Sequence, residues 1–325
     1  MRNFRILLVV ISVIFCLNSI SHASDEYQVR LIKKFYSMGT ATINGTYYPV
    51  GNSIARLFSI KMKNLVAIAE PTAGSLANIE YLRRGQIDLA LVQSDVAWMA
   101  FNGAHNFTGN RFTELRILAS LYSEVIQIIV RADSAIKTIE DLKGKKIAVG
   151  EKDSGSAASV MLVLSAAGLK PEDYTFVYER FTRATESLND GYVDAVYYAG
   201  AVPADGISRL AGKTPLRLVS VPAEVGKKLV AEYPYFSVEM IPEKSYQGQE
   251  TPVQTVGFRA LLAGTENLPR DEVLSMLQVI YDNPEMISDQ NKTIIRPDIA
   301  NGSSGVAEDM LHPGARRFFS LRQKK

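Results

Sequence analysis

Leu82-Arg83-Arg84-Gly85-Gln86-Ile87-Asp88-Leu89-Ala90-Leu91-Val92-Gln93-Ser94-Asp95 decides how the rest of the chain is read. A glycine after the last turn is a common stop signal for a helix, and a short apolar run bounded by polar residues suits a parallel strand covered on both faces. The stretch therefore reads as a helix end, a glycine stop and a buried strand that carries Gln93, Ser94 and Asp95 at its far end. In an open α/β sheet, polar residues at the carboxyl end of a strand are where a ligand binds.

The phrase returns in the second half as Leu188-Asn189-Asp190-Gly191-Tyr192-Val193-Asp194-Ala195-Val196-Tyr197-Tyr198. The leucine, the glycine three on and the Ile/Val-Asp pair before an apolar strand all repeat. Helix-glycine-strand junctions recur in α/β proteins generally, but two copies of one phrase predict two similar α/β lobes. The 325 residues leave room for two domains, each with its own core. At 47% hydrophobic and 22% charged, the chain is neither disordered nor embedded in a membrane throughout.

Arg2 and Arg5 precede an apolar run, Ile6 to Leu17, and Ser21-His22-Ala23 follows with small residues, which is the layout of a secretory signal peptide over residues 1–23. The run is short for a bilayer, which needs about 20 apolar residues. Removing it takes Lys+Arg from 36 to 34, against 34 Asp+Glu, so the remainder is formally neutral. Neutrality argues against nucleic acid or an anionic membrane as partner. The single cysteine, Cys16, leaves with the same segment, and Phe15 before it is too bulky for a lipoprotein signal. No disulfide framework is then expected in the secreted chain.

Three loops rich in glycine and hydroxyl residues each precede a helix: Gly39 to Gly51, Glu70 to Ser75, and Gly150 to Ser156. Helix starts carry unpaired N–H groups and partial positive charge, which suit a carboxylate or phosphate. There is no Walker lysine pattern and no Gly-x-Gly-x-x-Gly, so a nucleotide is a poor candidate. Tyr47 and Tyr48 read either as a cavity wall with polar tips or as half-buried packing, and Asp95 as a cap for the helix Val96 to Phe101. The strands Arg116 to Tyr122 and Val125 to Arg131, and later Thr255 to Leu262, read as crossings between lobes. The division expected is 24–124 with 250–325 as lobe 1 and 125–249 as lobe 2.

Several phrases carry a resemblance: Gly45-Thr46-Tyr47-Tyr48-Pro49-Val50-Gly51, Thr72-Ala73-Gly74-Ser75-Leu76-Ala77-Asn78, Gly85 to Asp95, Asp141 to Gly150, and Leu311-His312-Pro313-Gly314-Ala315. Together they are similar to the TAXI group, periplasmic solute-binding proteins that serve TRAP transporters. The resemblance implies an α/β two-lobe periplasmic binding protein of type II, a Venus flytrap, with a small carboxylate of the glutamate, glutamine or 2-oxoglutarate type held between the lobes and delivered to a TRAP permease. Position by position it implies Thr46, Tyr47, Tyr48, Thr72, Gly74, Ser75, Asn78 and Gln93 as ligand-binding residues from the first lobe. From the second it implies Gly150, Ser154, Gly155 and Ser156. Ala41-Thr42-Ile43-Asn44 and Glu151-Lys152-Asp153 depart from the group's pattern, and Lys152 reads either as a cleft cation or as a solvated loop residue.

After residue 23 the chain holds two histidines, His105 and His312, and neither Gly-x-Ser-x-Gly nor His-Glu-x-x-His. No catalytic role, cofactor or metal is expected, Asp88 and Asp194 read as structural residues at strand starts, and a monomer is expected. A sensor that reports to a membrane receptor would carry the same binding residues.

Overall fold

The two copies of the phrase build the same unit twice. The computed structural model describes residues 33–288 and 297–322; the signal segment and the start of the first strand at Val29 lie outside them. The first unit runs β1 (Lys34–Gly39), α1 (Tyr47–Lys61), β2 (Leu65–Glu70), α2 (Ser75–Arg83) and β3 (Leu89–Gln93), with β1 parallel to and between β2 and β3. After α3 (Ser94–Asn102) and a long β4 (Leu115–Arg131), the second runs β5 (Lys145–Ala148), α4 (Gly155–Ala166), β6 (Tyr174–Val177), α5 (Phe181–Asn189) and β7 (Ala195–Gly200). There β5 is parallel to and between β6 and β7.

The repeated residues do the same work in each unit. Gly85 (φ 63°) and Gly191 (φ 75°) end their helices in the left-handed region that a side chain resists. The Asp88 carboxylate accepts the N–H of Ser37 at 2.8 Å, and its own N–H donates to the Ser37 carbonyl at 3.0 Å. Asp194 does the same to Lys146, at 2.8 and 2.9 Å. Each aspartate thus sets the register of a parallel pair at its first residue.

Two strands run through both lobes. β4 was expected as two strands broken at Ser123-Glu124, yet it is one strand of 17 residues. Those two residues stay extended because they pair with Arg259 and Phe258 of β10 (Val253–Thr265). β4 pairs with β10 over its first half and with β7 and β8 (Leu216–Val219) over its second. β10 in turn pairs with β9 (Ser237–Ile241) at its start and with β3 further on. The strand order β2-β1-β3-β10-β4-β7-β5-β6 is therefore continuous, with β4 and β10 as the crossings of a two-lobe α/β fold.

Helices cover both faces. Ile54 and Phe58 of α1 pack with Met276 and Leu277 of α8 (Arg270–Asp282) and Phe318 of α9 (Pro313–Arg322) over Met38, Leu89 and Leu91. His312, ahead of α9, is buried and uses both ring nitrogens on the backbone of Leu268 and Gly314. In the second unit, α5 packs with α6 (Asp205–Ala211) through Phe181, Leu188, Ile207 and Leu210. A third cluster joins the lobes: Val96 and Ala97 of α3, Val160 and Val163 of α4, and Tyr235 and Phe236 after α7 (Ala223–Glu232).

Removing the Asp88 carboxylate leaves a strand N–H without its charged acceptor. We expect Asp88→Ala to cost about 1–2 kcal/mol in urea unfolding. Asp194→Ala, at a more exposed position, should cost less, and neither change should alter ligand affinity.

Candidate functional site

The doubled topology brings four helix starts to one place. α1 and α2 open at Tyr47 and Ser75, α4 and α5 at Gly155 and Phe181, and all four border a single cavity between the lobes. The cavity leaves about 80 Å³ for the centres of water-sized molecules. It lies beyond the carboxyl ends of β3 and β7, which contribute Gln93 and the run Val196 to Ala199.

Nine of the residues expected at the site border this cavity: Thr46, Tyr47, Gly74, Ser75, Gln93, Gly150, Ser154, Gly155 and Ser156. Ser75 Oγ accepts the N–H of Gln93 at 3.1 Å and Ser156 Oγ accepts that of Ala199 at 3.1 Å, so each hydroxyl ties a helix start to a strand end. Ser154 Oγ accepts the N–H of Ala157 at 3.2 Å as the cap of α4. A serine hydroxyl that accepts in this way still has its own proton to donate, and that of Ser75 lies within reach of the Tyr47 hydroxyl.

Three others do not border the cavity. Asn78 is fully buried, and its Nδ2 donates to the carbonyls of Thr40 (2.7 Å) and Leu91 (2.8 Å). Thr72 Oγ1 sits 2.7 Å from Asn78 Oδ1 and 2.9 Å from the Thr40 carbonyl. These two side chains hold the loops after β1 and β2 in shape, and the next turn of α2 carries Asn78 away from the opening. Tyr48 is half-buried outside the lining, because successive residues of a helix face different ways. Lys152 is exposed beside the cavity, and the lining residue there is Glu151, 3.2 Å from Arg180.

The sequence reading missed Glu124, Phe181, Tyr197 and Tyr198, all of which border the cavity. The rule that drew attention to the end of β3 would have found the tyrosines at the end of β7. Glu124 was taken as part of a break, although one acid within a long apolar strand is itself a signal. Tyr198 stacks on Phe181 with ring centres 4.0 Å apart, and its hydroxyl lies 3.2 Å from Thr46 Oγ1 on the other lobe.

The lobes meet closely around the opening. The N–H of Ala77 in α2 donates to the carbonyl of Asp153 at 3.2 Å. Gly74 has φ 123°, and a Cβ there would lie 3.3 Å from the Ser154 Cα. A Cβ on Gly155 would fall 2.1 Å from Gln93 Oε1. Glycine at both positions is what lets one lobe approach the other.

Buried acids shape the electrostatics. Glu124 is 1% exposed and accepts a hydrogen bond from the Tyr47 hydroxyl at 2.7 Å. Burial pushes its carboxyl up to about 8; the Tyr47 hydrogen bond and Arg259 pull it back, and the charge of Asp95 adds to the rise. Asp95 is fully buried, and neither of its carboxyl oxygens has a hydrogen-bond partner among the described residues. It does not cap a helix that starts at Val96: α3 begins two residues earlier, at Ser94, follows Gln93 and has no side-chain cap. Burial raises Asp95 to about 7, opposed by the nearby N–H groups of Val96 and of Asp95 itself.

A sheet shared by two lobes, with a cavity ringed by helix starts between them, is the type II periplasmic binding protein fold. The chain belongs to the NMT1-like family, whose family model matches residues 38–320. It is similar to an Escherichia coli (strain K12) protein bearing the name aliphatic sulfonates-binding protein, 32% identical over 161 residues, which are 46% of this chain and 48% of that one. The chain thus spans about half the length of that curated relative.

Among solved structures it is similar to the periplasmic aliphatic sulphonate binding protein SsuA from Escherichia coli, at 18% identity and a TM-score of 0.50 over 89% of this chain and 83% of that one. It is also similar to a chain of Listeria monocytogenes named for an L-cystine ABC transporter, at 13% identity and a TM-score of 0.51 over 82% and 98%. At these identities the likeness establishes the fold alone.

The family match corrects the resemblance to the TAXI group, and the TRAP permease falls with it. Most of the phrases behind that resemblance sit at helix starts and strand ends that this two-lobe fold needs in any case.

A buried carboxyl whose folded value lies above its unfolded one favours the folded state while it is protonated. For Asp95 that contribution is complete below about pH 4 and is lost as the pH rises to about 7. We expect Asp95→Asn to raise stability at pH 8 by about 1–3 kcal/mol and to reduce the fall in melting temperature between pH 5 and pH 8.

Proposed function

We propose that this protein is the solute-binding component of an ABC-type importer. It works in the periplasm after export by the 1–23 segment, and it captures a small organic anion, a sulfonate or a carboxylate, between its lobes. The observation that carries this reading is the convergence of four helix starts from two lobes on one cavity, together with the hydroxyls of Ser75, Ser154 and Ser156. Helix starts and hydroxyl donors favour negative charge without needing a buried cation. The names of the Escherichia coli relative and of the Listeria monocytogenes chain support the ligand class and the ABC partner. Among the described residues no helix is long and apolar enough to cross a membrane.

Each hydrogen bond to the anion contributes about 1.5–3 kcal/mol. Micromolar affinity needs about 8 kcal/mol net, so five or six such bonds suffice after the cost of ordering. Tyr198 and Phe181 would pack on the carbon skeleton, and β4 and β10 would flex as the lobes close.

Calorimetric titration with short sulfonates and carboxylates should give micromolar or tighter binding, with a smaller radius of gyration by X-ray scattering in the bound state. Gly74→Val should weaken binding at least tenfold by holding the lobes apart. The reading fails if none of these anions binds and mass spectrometry finds no small molecule released on denaturing the purified protein.

A further inference from the structure

Capture of an anion uses donors, yet the cavity also holds two acceptors that an anion alone leaves idle. Glu124 borders the cavity and has one carboxyl oxygen on the Tyr47 hydroxyl. Gln93 also borders it, and its Oε1, buried beside Gly155, has no hydrogen-bond partner among the described residues. Gln93 lies opposite Ala260, and Ala260 opposite Tyr122, so Glu124, two residues along β4, points to the same face of the sheet as Gln93.

The described lining residues include no Lys, Arg or His. The closest guanidinium by charge, that of Arg259, uses Nε and Nη1 on the hydroxyls of Ser120 (2.7 Å) and Ser123 (2.8 Å). The other groups whose charge or hydrogen bonding bears on Glu124 are Tyr47, Tyr122, Asp95 and Tyr198; none of them is a cation. A buried carboxylate that no cation pairs directly is costly, and a charge supplied by the ligand offsets that cost.

We propose that Glu124 and the Gln93 side-chain carbonyl receive an ammonium group, so that the site selects short zwitterions, an ammonium joined to a sulfonate or carboxylate, over simple anions of the same length. This rests on the anion-binding reading of the cavity and specifies the opposite end of its ligand. The helix starts take the acid, and Glu124 takes the amine. Burial pushes the Glu124 carboxyl up to about 8, so an ammonium bound against it at pH 7 releases a proton to solvent.

The test is calorimetry on the purified protein with matched pairs: taurine against ethanesulfonate, alanine against propionate, and glutamate against glutarate. The amine-bearing member of the pair that fits should bind about 10- to 100-fold more tightly. Repeating the titration at pH 7 in buffers of different ionisation enthalpy should show release of about one proton. Glu124→Gln keeps the size and the acceptor for Tyr47, and it should abolish both the preference and the proton release.

Equal binding of both members of a pair, or proton uptake in place of release, overturns the ammonium assignment and leaves the anion reading standing. If Glu124→Gln does not fold, the affinity ratio of the matched pairs on the parent protein decides, with the proton count beside it. Failure of every pair overturns the anion reading and this inference together.

Discussion

The antiparallel pairing of β4 with β10 is the constraint on which the rest of the molecule depends. Each strand belongs to both lobes, so their ladder from Leu115–Thr265 to Val125–Gly257 sets where one sheet ends and the other begins. Register shifts beside Leu261 and Ala263 bend the pair within the first lobe, next to β3. The carboxyl ends of β3 and β7 then face each other across the gap. Since helices follow strands in α/β units, the helix starts must gather there too.

What was legible in the sequence was local. Gly85 with Asp88, and Gly191 with Asp194, announced themselves because a helix stop and a strand start are settled within a few residues. The loops before α1, α2 and α4 showed because small and hydroxyl residues mark helix starts. The start of α5 did not show: Tyr178-Glu179-Arg180 carries none of those signals, and Phe181 is held by packing against Tyr198 and Gly206 from elsewhere in the chain. Asn78 and Thr72 were given to the ligand when their partners are backbone carbonyls of Thr40 and Leu91, a closure that only the fold creates. Glu124 was hidden for a similar reason, since the meaning of an acid in a strand depends on Tyr47, which lies far away in sequence.

The two acids that border the cavity are placed differently. Glu151 comes from the same loop as the serine hydroxyls and pairs with Arg180, whereas Glu124 comes from the crossing strand. The charge of Asp95 raises the cost of ionising Glu124, and the tyrosines Tyr47, Tyr122 and Tyr198 are all pushed above their ordinary range by burial. Around Glu124 the cavity wall is therefore poor in fixed charge at neutral pH, and the charge that arrives with a guest weighs heavily there.

The bond from the Ala77 amide to the Asp153 carbonyl joins the lobes through main-chain atoms alone. Such a latch does not depend on which side chains those two positions carry. Exchanging side chains of the inner wall therefore leaves this fastening untouched, so grip and closure are set by separate parts of the chain.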